Sequence, residues 1–125
     1  MTGAIDTHAH LWSLAYLDEL QALGSEATAV ARNLGASDAP EDLTRRLAMM
    51  DNAGVQMQIL SATPQSPEYG TPAEALACAQ QLNAVYERVM AAHPTRFRAY
   101  GAVPLPHGAE AIGEAEDFLS RLNAR

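Results

Sequence analysis

Apolar and polar positions follow two different periods along the chain. The stretches Ala4–Leu11, Val55–Ser61 and Arg96–Val103 are β-prone or alternate with a period of two. That period is typical of a strand, because successive side chains of a strand point to opposite faces. We therefore predict three strands, each followed by a region with a helical pattern.

The first helical region is the least regular. A short helix is expected over Leu14–Leu23, ended by Gly24, and a clearer one over Glu41–Ala53. Pro40 at its first position and Gly54 just beyond it favour those ends, because proline needs no donor there and glycine accepts a left-handed cap. The expected apolar stripe of this helix is Leu43, Leu47 and Met50.

The other two helices have clearer signals. Thr71-Pro-Ala-Glu74 is a capping box and predicts a helix that runs to about Ala92. Its expected buried side is Leu76, Ala79, Leu82, Tyr86, Val89 and Met90. The last helix is expected over Gly108–Leu122, with Ile112, Ala115, Phe118, Leu119 and Leu122 on its buried side.

Strands that alternate with helices of this length imply parallel pairing through right-handed crossovers, which is an α/β fold. Period two then predicts one apolar face against the helices, made of Val55, Met57, Ile59, Phe97, Ala99 and Gly101. The opposite face would carry Asp6, His8, His10, Gln56, Gln58, Leu60, Arg98 and Tyr100. A doubly wound sheet needs two apolar faces. We therefore predict a partial (β/α)8 TIM-type barrel of about three βα units, one segment over residues 1–125.

Composition removes several function classes. The formal net charge is −7 and all eight basic residues are arginine, so a nucleic-acid or membrane-surface role is not expected. A chain without lysine offers no Schiff-base lysine. Its single cysteine, Cys78, forms no internal disulfide and is expected to be a small core residue. Neither a secretory signal nor an 18-residue apolar span is present, and we predict a cytoplasmic location.

The strongest chemical signal is the pair His8 and His10. Residues two apart on a strand project to the same side, so their imidazoles can bind one metal ion. Catalytic zinc generally takes three protein ligands and keeps a position for water, whose pKa it lowers toward about 7. The pair would thus supply only part of a site. Because it ends an N-terminal strand and follows Ile5 and Asp6, the pattern is more specific than an isolated His-x-His.

Three motifs in the same order resemble a known family. Ile5-Asp-Thr-His-Ala-His-Leu-Trp12 resembles the opening strand of the amidohydrolase superfamily. The segment Arg46–Ser61 is similar to the branch related to aminocarboxymuconate-semialdehyde decarboxylase. Asn83, His93-Pro-Thr-Arg-Phe97 and Ala102-Val-Pro-Leu-Pro106 continue the match, which covers about Ala4 to Leu122.

The resemblance implies a barrel enzyme with one divalent metal, usually zinc, that hydrolyses or decarboxylates small carboxylated substrates. It implies that His8 and His10 are metal ligands. The family's other ligands and catalytic groups lie on later strands, so no catalytic residue is assigned here. A barrel of this type has on the order of 250 residues, and we expect this chain to be an N-terminal portion, inactive alone.

Several other residues have two interpretations. Trp12 could line a substrate pocket or pack under a loop, and Arg98 could bind a substrate carboxylate or pair with a nearby acid. Asp6 could orient a histidine or make a structural hydrogen bond. Ser61 and Thr63 end the second strand, where barrels place functional groups, although turn capping is the simpler role. His93 and His107 are expected to be ordinary loop histidines.

Two alternatives to this enzyme stay open. A TatD-type metal-dependent nuclease also opens with Ile-Asp-Thr-His-x-His, although the acidic balance and the Val103–Pro106 segment fit it poorly. A non-catalytic α/β module is the second alternative, because three parallel strands leave two unpaired edges and an uncovered face. Because of these unpaired edges, a homo-oligomer or a complementing chain is the expected partner.

Overall fold

A computed structural model of the chain describes residues 3–123. The elements in order are β1 (Ala4–His10), α1 (Leu14–Ala22), α2 (Thr28–Arg32), α3 (Pro40–Asn52), β2 (Val55–Ser61), α4 (Pro72–Ala92), β3 (Phe97–Ala99) and α5 (Gly108–Asn123). The three predicted strands and the main predicted helices are all present. The five-residue helix α2 was not predicted, because too few residues carry its pattern.

The strands form one parallel sheet in the order β1-β2-β3. Strands adjacent in sequence are therefore adjacent in space, with helices in each connection, as in successive units of a barrel. The pairing of β1 with β2 shifts register between Asp6 and Ala9. This irregularity places Asp6 and Ala9 on the same face, although they are three residues apart.

The predicted faces of β2 are wrong. Residues paired in register share a face, and Gln58 pairs with Asp6 on one side and with Phe97 on the other. Phe97 and Leu60 are fully buried, so this face packs on the helices. Met57 and Ile59, expected there, lie on the opposite face.

Asp6 therefore lies on the helix face and not with the histidines, contrary to the prediction. The register shift in β1 is the physical reason, because it breaks the strict alternation on which the prediction depended. In β3 the prediction is confirmed, since Phe97 is buried while Arg98 pairs with the half-buried Ile59.

The core lies between β1, β2 and the helices α1 and α4. Its fully buried side chains include Leu11, Tyr16, Leu20, Leu82 and Tyr86. The two tyrosine hydroxyls donate to backbone carbonyls at strand ends, Tyr86 to Leu11 at 3.1 Å and Tyr16 to Gln65 at 2.5 Å. These bonds satisfy buried loop carbonyls, which would otherwise destabilise the fold.

Helix α4 begins as predicted. The Thr71 hydroxyl accepts from the Glu74 backbone N–H, and the Glu74 carboxylate accepts from the Thr71 backbone N–H. These bonds lower the pKa of the Glu74 carboxyl. Cys78 lies on the buried side of the same helix, and burial, followed by the nearby Glu19 and Glu74, raises the pKa of its thiol to about 11.

Strand β3 is shorter than predicted, and a side chain of α4 bonds the backbone that follows it. Asn83 of α4 is fully buried, accepts from the Ala102 backbone N–H at 2.7 Å and donates to the Ala102 carbonyl at 2.9 Å. Pro104 and Pro106 follow and offer no backbone donor. The Tyr100 backbone N–H still donates to the Leu60 carbonyl at 2.9 Å, and beyond it Ala102 is held against α4.

The predicted buried side of α5 is partly wrong. Ala111, Glu114 and Phe118 are buried, whereas Ile112 and Leu119 are 64% and 58% exposed. Glu114 tolerates burial because the Asn83 amide donates to it at 2.8 Å and Arg121 lies 3.3 Å away. No helix among residues 3–123 is both long and apolar enough to cross a bilayer.

Candidate metal centre

The two histidines of β1 lie side by side. The ring centroids of His8 and His10 are 4.9 Å apart and the rings are nearly perpendicular, at 82°. His8 is exposed and His10 is half-buried. Both are at the carboxyl end of a parallel strand, which is the end where barrel enzymes place their sites. Two imidazoles are thus available on one side of the strand.

His10 is held more firmly than His8. Its Nδ1 lies 3.0 Å from the Ser61 hydroxyl at the end of β2. Its ring also stacks on Trp12, with centroids 5.4 Å apart and an angle of 6° between the planes. The His8 ring makes no hydrogen bond within residues 3–123 and meets the ring of His10 edge to face.

Trp12 is buried and packs against the ring of His10. Its side chain is 2% exposed, and the indole N–H donates to the Ala62 carbonyl at 2.5 Å. The indole therefore joins the end of β1 to the end of β2 and offers one ring face to His10. Its contact with a substrate stays a prediction.

Asp6 supports the strand backbone. One carboxylate oxygen accepts from the backbone N–H of His8 at 3.0 Å, and the other accepts from the Gln58 amide at 3.0 Å. Both contacts are structural hydrogen bonds, one of the two roles expected from the sequence. The role of Asp6 as an orienting partner of a metal ligand stays a prediction.

Arg46 of α3 was missed by the sequence reasoning. Its guanidinium donates to the backbone carbonyl of His10 at 2.6 Å and to the side-chain carbonyl of Gln58 at 2.9 Å. Burial lowers the pKa of this guanidinium. A signal was available, because Arg46 lies three residues after Leu43 and four before Met50, on the inward side of an amphipathic helix.

Arg98 makes its hydrogen bonds to backbone groups near its own strand and not to the histidines. Its guanidinium donates to the carbonyls of Pro94 at 2.6 Å and Phe97 at 2.9 Å. Within residues 3–123 it forms neither an ion pair with an acid nor a hydrogen bond to the histidines. Its role in substrate binding stays a prediction.

The environment of His10 favours the neutral ring. Burial lowers the pKa of His10, and the nearby His8 and Arg46 act in the same direction. A hydrogen bond to Ser61 and the Asp6 carboxylate oppose them. A neutral imidazole is the form that binds a metal ion, so this environment suits a ligand.

The other histidines lie elsewhere. His93 ends α4 and meets the Phe97 ring edge-on at 5.8 Å, and His107 precedes α5. Among residues 3–123, no group of three or more His, Cys, Asp or Glu side chains could hold a metal ion. The arrangement is thus a pair of donors, to which further ligands must be added.

Comparison with known proteins yields structural matches only. No protein-family sequence model matches the chain, and no curated protein matches it in sequence. A Staphylococcus aureus protein designated an amidohydrolase matches with a TM-score of 0.76 and 23% identity over 98% of this chain and 35% of its own.

Two decarboxylases match as well. A dihydroxybenzoic acid decarboxylase from Polaromonas sp. JS666, with bound manganese and the inhibitor 2-nitroresorcinol, has a TM-score of 0.76 and 24% identity, over 98% of this chain and 36% of its own. A 5-carboxyvanillate decarboxylase from Sphingomonas paucimobilis has a TM-score of 0.75 and 24% identity, over 98% of this chain and 41% of its own.

These matches confirm the predicted fold. The chain spans roughly a third to two-fifths of the length of the solved structures that it matches. Its three parallel strands and their helices are an α/β arrangement consistent with part of a TIM barrel. Proteins named for the two chemistries that the sequence resemblance implied, amidohydrolase and decarboxylase, share this arrangement.

Proposed function

We propose that residues 1–125 form an N-terminal βα segment of a divalent-metal-dependent enzyme of the amidohydrolase type, with His8 and His10 among the metal ligands. One observation carries the proposal: two imidazoles lie 4.9 Å apart on one side of a strand, at its carboxyl end. The fold shared with an amidohydrolase and two decarboxylases supports it.

The donor atoms suit a divalent ion. Imidazole nitrogen is a common ligand of divalent ions. The ring of His10 is held by Ser61 and Trp12, and its burial favours the neutral form. A catalytic ion commonly takes at least three protein ligands, so further ligands would come from outside residues 3–123. When bound, such an ion polarises a substrate oxygen or lowers the pKa of a water molecule. We propose zinc or manganese, the latter because the Polaromonas enzyme binds it.

The proposed substrate is a small aromatic carboxylate, and the proposed reaction is its non-oxidative decarboxylation, with hydrolysis as the alternative. The names of these two decarboxylases favour this over the nuclease alternative.

Trp12 and Arg98 are proposed to contact the substrate, with Asp6 supporting the histidine strand. Since residues 3–123 hold no group of three or more side chains that could bind the ion, we propose that the chain is inactive alone. Its cytoplasmic location stays a prediction.

Titration with Mn²⁺ followed by NMR tests the metal site even if binding is weak. A paramagnetic ion broadens the signals of nearby nuclei, so broadening should be confined to the surroundings of His8 and His10. The variant His8→Ala with His10→Ala should abolish it, because the donor nitrogens are gone. The matched variant His93→Gln with His107→Gln should leave it unchanged.

Broadening spread over the acidic surface, or retained in the His8→Ala and His10→Ala variant, would refute the metal site. The readout requires no catalytic activity. It therefore tests the residues of this chain alone.

Association with a further polypeptide is the second proposal. It rests on exposed apolar side chains near both edge strands of the sheet, β1 and β3. A groove of about 820 Å³ lies beside β1 and α3, lined by Asp6, Arg46 and Met49, among others. Met49 is 67% exposed, and on α5 Ile112 and Leu119 are exposed as well. Apolar side chains so placed suit contact with a neighbouring βα unit.

Light scattering after size exclusion tests this proposal. We expect a mass above 13.3 kDa that rises with concentration. The variant Ile112→Glu with Leu119→Glu should reduce it. A monomer at the highest soluble concentration would contradict self-association.

A further inference from the structure

The Ser61 hydroxyl sits between two groups of the histidine strand. Its oxygen lies 3.0 Å from Nδ1 of His10 and 3.3 Å from the carbonyl oxygen of Ala9. A carbonyl only accepts hydrogen bonds, whereas a neutral imidazole nitrogen either donates or accepts. A serine hydroxyl carries one hydrogen, so the two contacts constrain each other.

For a neutral His10 ring, only one distribution of hydrogens satisfies both contacts. If Ser61 donates to the Ala9 carbonyl, its oxygen is left to accept from Nδ1–H of His10. If Ser61 donated to Nδ1 instead, two acceptor oxygens would face each other at 3.3 Å with no hydrogen between them. The first arrangement places the hydrogen of His10 on Nδ1 and leaves Nε2 with a lone pair.

Two other contacts prevent the ring from leaving this position. Trp12 stacks on one face of the imidazole at 5.4 Å. Arg46 donates to the backbone carbonyl of His10 at 2.6 Å and thereby fixes the main chain that carries the ring. Ser61 thus meets a ring whose plane and attachment are both restrained.

We infer that Ser61 is a positioning residue that holds His10 in the Nδ1–H tautomer and leaves Nε2 as the donor atom for the metal ion. The metal half of this inference rests on the proposed function, whereas the tautomer half does not. Partners of this kind commonly change metal affinity by about tenfold to a hundredfold when they are removed.

Long-range ¹⁵N NMR of the histidine rings tests the tautomer directly. At a pH about two units above the ordinary histidine value of about 6.5, the ring is neutral and the protonated nitrogen is identified by its shift. We expect the hydrogen on Nδ1 in the unchanged chain. Ser61→Ala should move it to Nε2, the tautomer that free histidine favours in water.

Two variants control for loss of structure. Ser61→Thr keeps a hydroxyl and should restore the Nδ1–H tautomer. Thr63→Ala removes an exposed hydroxyl two residues away and should leave the tautomer unchanged. In the Mn²⁺ titration, Ser61→Ala should weaken binding about tenfold or more, and Ser61→Thr should recover it.

The outcomes separate the two proposals. A hydrogen on Nε2 in the unchanged chain, or no change of tautomer in Ser61→Ala, overturns the role of Ser61 whether or not Mn²⁺ binds. If the tautomer responds as expected but Mn²⁺ does not bind at the histidines, the tautomer role of Ser61 stands and the proposed metal site fails.

Discussion

Helix α4 packs on β3 and helix α5 packs on α4, and the two helices bury their apolar side chains to different degrees. Helix α4 contacts α1 on one side and α5 on the other, and its Leu82 and Tyr86 are fully buried. Helix α5 packs on α4 and buries Phe118, while Leu119 beside it is 58% exposed. In a barrel each outer helix has two helical neighbours. Within residues 3–123, α4 is therefore packed between two helices, whereas α5 packs mainly on α4.

Paired leucine truncations test this contrast most strongly. Leu82→Ala should destabilise the chain by about 2–5 kcal/mol, because it leaves a cavity in the closed core. At a concentration low enough for the chain to be monomeric, Leu119→Ala should change stability by no more than about 0.5 kcal/mol, as expected for an exposed position. Urea denaturation followed by circular dichroism measures both. Equal losses in the monomer would contradict the contrast, whereas a loss for Leu119→Ala that appears only at higher concentration would show that a partner covers α5.

Asn83 marks the boundary between the two regions. Asn83→Ala should destabilise the chain by about 1–3 kcal/mol, because it removes the partner of the Ala102 backbone groups and one of the hydrogen bonds to the buried Glu114 carboxylate. Asn33→Ala removes a bond to Ala29 on the surface and should cost less than about 0.5 kcal/mol. The same denaturation experiment compares them. Similar values would show that α5 is not anchored through this residue.

The capping box at the start of α4 should produce the smallest effect, visible only in acid. The pKa of Glu74 is lowered from 4.5, chiefly by hydrogen bonds from Thr71. Its stabilising contribution is therefore present above pH about 4.5 and is lost as the pH falls through the lowered value. Glu74→Gln should make the fall of Tm between pH about 5 and 3 shallower. Thr71→Ser, which keeps the hydroxyl cap, should retain the original slope.

The sequence predicted the parts of the fold that depend on local signals. The capping box at Thr71, the proline at the start of α3 and the ends of β2 all lie where the pattern placed them. These features depend on a few neighbouring residues, so no knowledge of tertiary packing was needed. The closeness of His8 and His10 followed from the same local geometry.

Features that depend on tertiary contacts were not predictable in this way. The register shift in β1 places Asp6 on the helix face, and no pattern in the amino-acid sequence indicates such a shift. Glu114 is buried because Asn83, 31 positions earlier in the sequence, and Arg121, further along α5, supply its hydrogen bonds. The pattern of α3 does indicate that Arg46 faces inward, but its bond to the His10 carbonyl, 36 positions away, depends on tertiary packing.

The buried thiol of Cys78 makes the centre of the chain measurable without an added probe. A thiol reacts with alkylating reagents as the thiolate, and here the group is both 1% exposed and shifted to a pKa of about 11. Rapid labelling therefore requires that α4 separate from the core. Because the chain has a single cysteine, the rate of modification reports how often the interior opens, at one position and in the unmodified protein.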